Sequence, residues 1–253
     1  MCFNANTSLV TFTISLVCFF YILNRGLKTN NKNDIFLSIL TILIGCMQLV
    51  EYFIWSNQYC NNINHYFSLL MIVIFYLQVA VPSLVYFKLY PGKSFFSENF
   101  VKSILLFYLM FIIYTLYRIN KYKLCSKPSP SSCRLIWDLF VKMNYPQNRL
   151  LLVIFFVLYS FIPFIIVVNS IYSKNTLFTK YPFRYSFLSL TFWLSIIYVL
   201  LTSYYRKEIY TSIKNNNFPD FVNNILLIGS SDIFGSVWCF LAVFIGIVGI
   251  LKI

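Results

Sequence analysis

The chain has 253 residues, of which 59% are hydrophobic and 11% charged, and its mean hydropathy is +0.74. A water-soluble domain of that composition would expose far more apolar surface than soluble proteins do, so a soluble enzyme or soluble binding module is excluded. The net charge of +13 comes from Lys and Arg spread over the polar loops, the pattern of membrane topology and anionic headgroups and not of a nucleic-acid surface. The expected partner is the lipid bilayer, with no nucleic acid.

Seven apolar stretches follow one another at residues 9–23, 35–55, 66–87, 101–117, 150–171, 185–205 and 233–251. Each approaches the roughly 20 residues that a helix needs to cross the hydrocarbon core. The expected fold class is therefore all-α, an integral membrane bundle of seven transmembrane helices forming one domain over residues 1–253. No segment between the stretches exceeds about 35 residues, too few for a separate soluble domain. Ahead of the first stretch, residues 1–8 carry no positive charge, and no small-residue cleavage pattern follows it. A short uncleaved tail is expected there in preference to a signal peptide.

The second stretch holds the most pointed polar feature. Gln48, Glu51, Tyr52 and Trp55 recur at i, i+3, i+4 and i+7 and so share one helix face. Glu51 is the one carboxylate well inside a stretch. An ionisable group there costs a few kcal/mol if it faces lipid, so it points inward to a partner or a polar cavity. Two readings stand: a solute or proton site, or a neutral acid hydrogen-bonded within the bundle. Gln78 in the third stretch, with Thr191 and Ser195 in the sixth, could complete a polar cluster. Pro82 and Pro163 lie inside the third and fifth stretches, where proline removes an internal hydrogen bond and kinks the helix.

Between the fourth and fifth stretches come a basic run, a Ser/Pro turn flanked by Cys125 and Cys133, and the segment LIWDLFVKM at 135–143. With Asp138 and Lys142 at i and i+4, that segment is expected to lie on the membrane surface as an amphipathic anchor, a lid being the alternative. The last stretch carries small residues, Gly235, Cys239, Ala242, Gly246 and Gly249, on one face. Small side chains let helices approach closely, so this face is expected to pack against the bundle, with a homodimer seam as the alternative.

The Lys and Arg residues divide equally between the two sides of a seven-span bundle. The uncharged segment between the second and third stretches favours an exoplasmic N-terminus. Cys2, Cys60, Cys125 and Cys133 then fall on the exoplasmic side, and Cys239 within about two helical turns of it, where an oxidising compartment lets cysteines pair. The candidate bridges are Cys125 to Cys133 and Cys2 to Cys239, against the alternative that all the cysteines are free; Cys18 and Cys46 are expected as reduced thiols inside helices.

No catalytic signature is written on this scaffold, and no catalytic residue, metal site or cofactor is expected. The last stretch has no internal lysine for a retinal Schiff base, Lys252 lying past its end, and the single histidine, His65, is expected to be a solvated loop residue. Neither a nucleophile elbow, a phosphate-binding loop nor a metal-type cysteine pair is present.

Three segments together carry a resemblance: Met1-Cys2 leading into SLVTF at 8–12, MQLVEYFIW at 47–55, and GSVWCF at 235–240. The chain resembles a family of uncharacterised multi-pass membrane proteins of giant DNA viruses of protists, the mimivirus-like group. Phe3 stands where the relatives have Trp. The resemblance implies a host-cell or virion membrane and carries no catalytic residue across. Both cysteines of the candidate Cys2 to Cys239 bridge belong to matching segments, as that bridge requires. The expected function is a non-enzymatic structural or binding component, alone, as a homo-oligomer or with other membrane proteins. Alternatives are a channel or transporter using Glu51 and Gln48 and, more weakly, a lipid-modifying enzyme.

Overall fold

A computed structural model of the chain describes residues 4–92, 94–128, 135–143, 145, 147–173 and 245–251. Its elements are α1 (Ala5–Lys28), α2 (Lys32–Ser56), α3 (Asn62–Leu89), α4 (Glu98–Asn120), β1 (Lys127–Pro128), β2 (Leu135–Ile136), α5 (Asp138–Met143), α6 (Arg149–Tyr172) and α7 (Ile245–Leu251). Five of them, α1 to α4 and α6, are long and apolar enough to cross a membrane. They contain the first five apolar stretches and extend past each by between one and five residues. The sixth stretch, 185–205, and residues 233–244 of the seventh lie outside the described residues.

Side-chain caps fix where the helices begin. Asn4 accepts from the Thr7 N–H at 2.9 Å, Asn61 from Asn64 at 2.8 Å and Ser97 from Phe100 at 3.2 Å. Each supplies an acceptor to a backbone donor that the helix itself leaves unpaired. The turn between α1 and α2 is only three residues long and passes through Asn30 at φ 49°, the left-handed conformation that Asn tolerates better than most residues.

That tight turn lays α1 antiparallel against α2. The buried face of α1 is Ser8, Thr11, Ser15, Cys18, Ile22 and Gly26, a run of mostly small residues at alternating helical spacing. Opposite it stands Gly45, where an added Cβ would come within 2.5 Å of the Ser15 Cβ. α7 runs parallel to α1 in the groove that α1 and α2 form. A Cβ on Gly246 would meet the Cys18 Cβ at 2.7 Å and Thr41 Cγ2 at 2.8 Å, and one on Gly249 would meet Leu37 Cδ2 at 2.6 Å. Gly246 and Gly249 thus turn toward this chain's own helices, while Gly235, Cys239 and Ala242 lie outside the described residues.

Arg25 ties these three helices together. Its Nε and Nη2 donate to Asp34 of α2 at 2.7 and 3.0 Å, and Nη2 and Nη1 also reach the Gly249 and Ile250 carbonyls of α7 at 2.7 and 3.1 Å. The cation therefore sits where a helix C-terminus offers orphan carbonyls and the negative end of its dipole.

A second, larger core joins α2, α3, α4 and α6. Phe75 is its centre, with ring centroids of Trp137, Phe140, Phe155 and Tyr159 between 5.4 and 5.7 Å away. The segment 135–143 was expected on the membrane surface, and the structure corrects this: Leu135, Trp137, Leu139, Phe140 and Met143 are all buried in that core. Its apolar positions plug the end of the bundle between α3, α4 and α6, because five large side chains gain more from contact there than from the interface. Asp138 and Lys142 do form their i,i+4 pair, at 3.7 Å.

Substituting Gly45 by Ala pushes a methyl group into Ser15 at a contact that only helix separation relieves. We expect a loss of about 1–3 kcal/mol in stability, the usual range for overpacking, read as a lowered unfolding midpoint in detergent.

Candidate functional site

The buried polar face of α2 is built as its spacing requires. Gln48, Glu51 and Trp55 are 1%, 2% and 8% exposed, whereas Tyr52 is half-buried and packs edge-on against Phe53. α1 supplies the facing wall. Thr11 Oγ1 donates to Gln48 Oε1 at 2.9 Å, and the antiparallel register that pairs Ser15 with Gly45 carries Ser8 to the level of Glu51. Ser8 Oγ, Gln48 Nε2 and Trp55 Nε1 are buried and have no hydrogen-bond partner among the described residues. Gln48 and Trp55 stand about one helical turn to either side of Glu51 on this face, and buried donors of this kind can serve an acceptor group.

Gln78 does not join this group. Its Nε2 donates to the Leu43 carbonyl of α2 at 3.2 Å and its Oε1 accepts from the Tyr159 hydroxyl of α6 at 2.9 Å, about two helical turns from Glu51 along α2. It is a bracket across three helices. Thr191 and Ser195 lie outside the described residues.

The opposite ends of the hairpins gather at one face. Cys125 forms a disulfide with Cys60 of the α2–α3 loop, which corrects the expected Cys125 to Cys133 pairing. The reason is register: Lys127 faces Ile136 and Pro128 faces Leu135, which carries Cys125 to the level of Asp138, whose Oδ2 accepts the Cys125 N–H at 2.8 Å. Cys133, Cys2 and Cys239 lie outside the described residues, and Cys18 and Cys46 are free thiols. Cys60 itself adopts φ 52°, a left-handed conformation that costs roughly 1–2 kcal/mol and is held by its surroundings.

Asn64 is the hub of this face. Its Nδ2 donates to the carbonyls of Asn57 and Ser126 at 2.8 and 2.7 Å, and its Oδ1 accepts the Ser126 N–H at 2.9 Å. Ser126 Oγ in turn lies 2.7 Å from Ser68 Oγ and accepts the Asp138 N–H at 3.1 Å. His65, expected to be solvated, is instead a clasp: its Nδ1 accepts the Leu124 N–H at 3.1 Å, which leaves the proton on Nε2 to bond Asn120 Oδ1 at 3.2 Å. At the other end of the bundle Asn169 of α6 exchanges two hydrogen bonds with the backbone of Phe96, at 2.7 and 3.0 Å. Asn64 and Asn169 carry little mark in the sequence: the one precedes the third apolar stretch and the other lies near the end of the fifth.

The disulfide-bearing face is electropositive. Arg118, Lys121, Lys123, Lys127, Lys142 and Arg149 stand there with Asp138 as the one described carboxylate. The Tyr122 phenol is drawn below its ordinary range, foremost by a hydrogen bond from Gln147, with Lys121 and Asn148 adding to it. The Lys142 ammonium is pushed up, first by its hydrogen bond to Tyr145 and then by the charge of Asp138. Among the described residues no group of three or more His, Cys, Asp or Glu side chains could hold a metal ion. Comparison with protein-family models, curated proteins and solved structures finds no match for the chain.

Non-reducing peptide mapping, with thiols blocked before lysis, should recover Cys60 and Cys125 in one linked pair and Cys18 and Cys46 unlinked. Replacing both linked cysteines by Ser should cost up to about 4 kcal/mol for a bridge spanning 65 residues. Gln78→Leu should lower unfolding stability by about 1–2 kcal/mol, and a double-mutant cycle with Tyr159→Phe should return a favourable coupling.

Proposed function

We propose that this chain is a multi-pass integral membrane protein with a non-enzymatic role, structural or binding, in a viral or host membrane. One observation carries the reading. Several polar side chains of the described spans fasten one element to another: Gln78 to Leu43 and Tyr159, Asn169 to Phe96 of the α3–α4 loop, Arg25 to Asp34 and α7. A bundle fastened this way is built as a rigid scaffold. Seven spans remain the count we favour, with α7 as the end of the last. The N-terminus is placed on the exoplasmic side in this reading, because α1 begins at the same face as the Cys60–Cys125 disulfide, which needs an oxidising compartment. Reconstituted in liposomes, the protein should move ions and small metabolites no faster than empty vesicles do; flux above that background would overturn the scaffold reading.

A second reading, a channel or transporter, is favoured by the buried donors of Gln48 and Trp55 on either side of Glu51. Glu51→Gln keeps the shape and removes the charge. Under this reading a measured flux falls at least about tenfold in the variant, while a flux indifferent to the change rules Glu51 out as an ionised site.

A further inference from the structure

Away from the α2 face, α3 and α4 part slightly on their lipid side and leave a groove of about 400 Å³ lined by Tyr66, Leu69, Leu70, Val73, Leu116 and Tyr117. Its volume lies in the roughly 300–1,000 Å³ range of small-molecule sites. The groove has a direction. Leu70, Val73 and Leu116 form its deeper, apolar part, and Asn120 stands at the end nearest the disulfide-bearing face. Tyr66 and Tyr117, 65% and 79% exposed, flank that mouth at the level where aromatic side chains meet headgroups.

The segment that follows Asn120 at this mouth is basic. From residue 118 to 128 the chain carries Arg118, Lys121, Lys123 and Lys127 and no acid, and Lys121 and Lys123 are exposed. The carboxylate that the described residues place at this face, Asp138, is occupied by the Cys125 N–H and Lys142. The positive N-terminus of α3 and the negative C-terminus of α4 lie side by side there and offset each other, so the lysines decide the potential. His65 bonds the Asn120 oxygen, which leaves the amide NH₂ to donate outward.

We infer that this groove is a binding site for an anionic phospholipid of the leaflet at the disulfide-bearing face. An acyl chain lies along Leu70, Val73 and Leu116, and the phosphate is held by Lys121, Lys123 and the Asn120 amide. An apolar slot alone would take any lipid; the unneutralised lysines at its mouth select charge. The inference rests on the membrane reading above, which is tested separately by asking whether the protein resists alkaline carbonate extraction.

The test is native mass spectrometry of the full-length protein, delipidated in detergent and offered phosphatidylglycerol and phosphatidylcholine of identical chains in equal amounts. Phosphatidylglycerol should be retained roughly tenfold over phosphatidylcholine, as two near-surface lysines permit. The exposed double variant Lys121→Gln, Lys123→Gln should lose the preference, and Lys121→Arg, Lys123→Arg should keep it. Val73→Trp, which fills the slot, should lower phosphatidylglycerol retention by a similar factor, with the Cys60–Cys125 link checked by non-reducing mapping to show that the variant is folded. Equal retention of both lipids by the unmodified protein overturns the inference. So does a preference that survives both the glutamine and the tryptophan variants. Displacement of the lipid by soluble glycerol phosphate at equal concentration would also overturn it, by assigning the lysines to a free phosphate ligand.

Discussion

Hydrocarbon offers no hydrogen bonds, and the arrangement of this bundle follows from that one constraint. A polar side chain or a freed backbone group inside a span must find its partner on a neighbouring helix. The same need reaches the ends of the spans, where Arg25 is the strongest case, since breaking a buried, hydrogen-bonded ion pair costs about 3–5 kcal/mol, against an average near 0.6 kcal/mol for a single interhelical hydrogen bond in a membrane. Its guanidinium holds Asp34 of α2 and the last carbonyls of α7 together. The small-residue contacts Ser15–Gly45 and Cys18–Gly246 are then what allow the three backbones to come close enough for those bonds.

The other end of the bundle solves the same problem with a covalent link and a plug. Asn64 presents its whole amide to the backbone of Ser126 and Asn57, and the Cys60–Cys125 disulfide fixes the same two loops. With those loops held, the segment around Trp137 and Phe140 can enter the core beside Phe75 and Phe155. Rigidity at this face is the product of local geometry. It gives the lysines around it a fixed frame, which a mobile basic loop would lack.

The two polar regions of the spans differ in kind. Gln78 has both ends of its amide bonded, to α2 and to α6, and so reads as structure. Around Glu51 the donors of Gln48 and Trp55 are buried and unpaired among the described residues. A buried donor without a partner costs about 1–3 kcal/mol, a cost borne most readily where another group or a solute supplies the acceptor.

The sequence alone determined what depends on neighbours in the chain. Hydropathy over about 20 residues located five spans, as a bilayer demands of any crossing helix; the i,i+4 spacing of Asp138 and Lys142 announced their ion pair; and the i, i+3, i+7 spacing of Gln48, Glu51 and Trp55 set them on one buried face. Tertiary structure decided what depends on distant residues. Cys125 had Cys133 close by in sequence, yet the hairpin register set it level with Asp138, and the Asn64–Ser126 bonds hold its segment against the loop that carries Cys60, 65 residues away. The pattern of 135–143 showed an apolar face but not its destination, because interface and core ask for the same periodicity and only the space left between α3, α4 and α6 chooses between them. Gln78 carried no mark of its partners for the same reason: an amide states that it needs a donor and an acceptor, and helix packing decides which ones lie within reach.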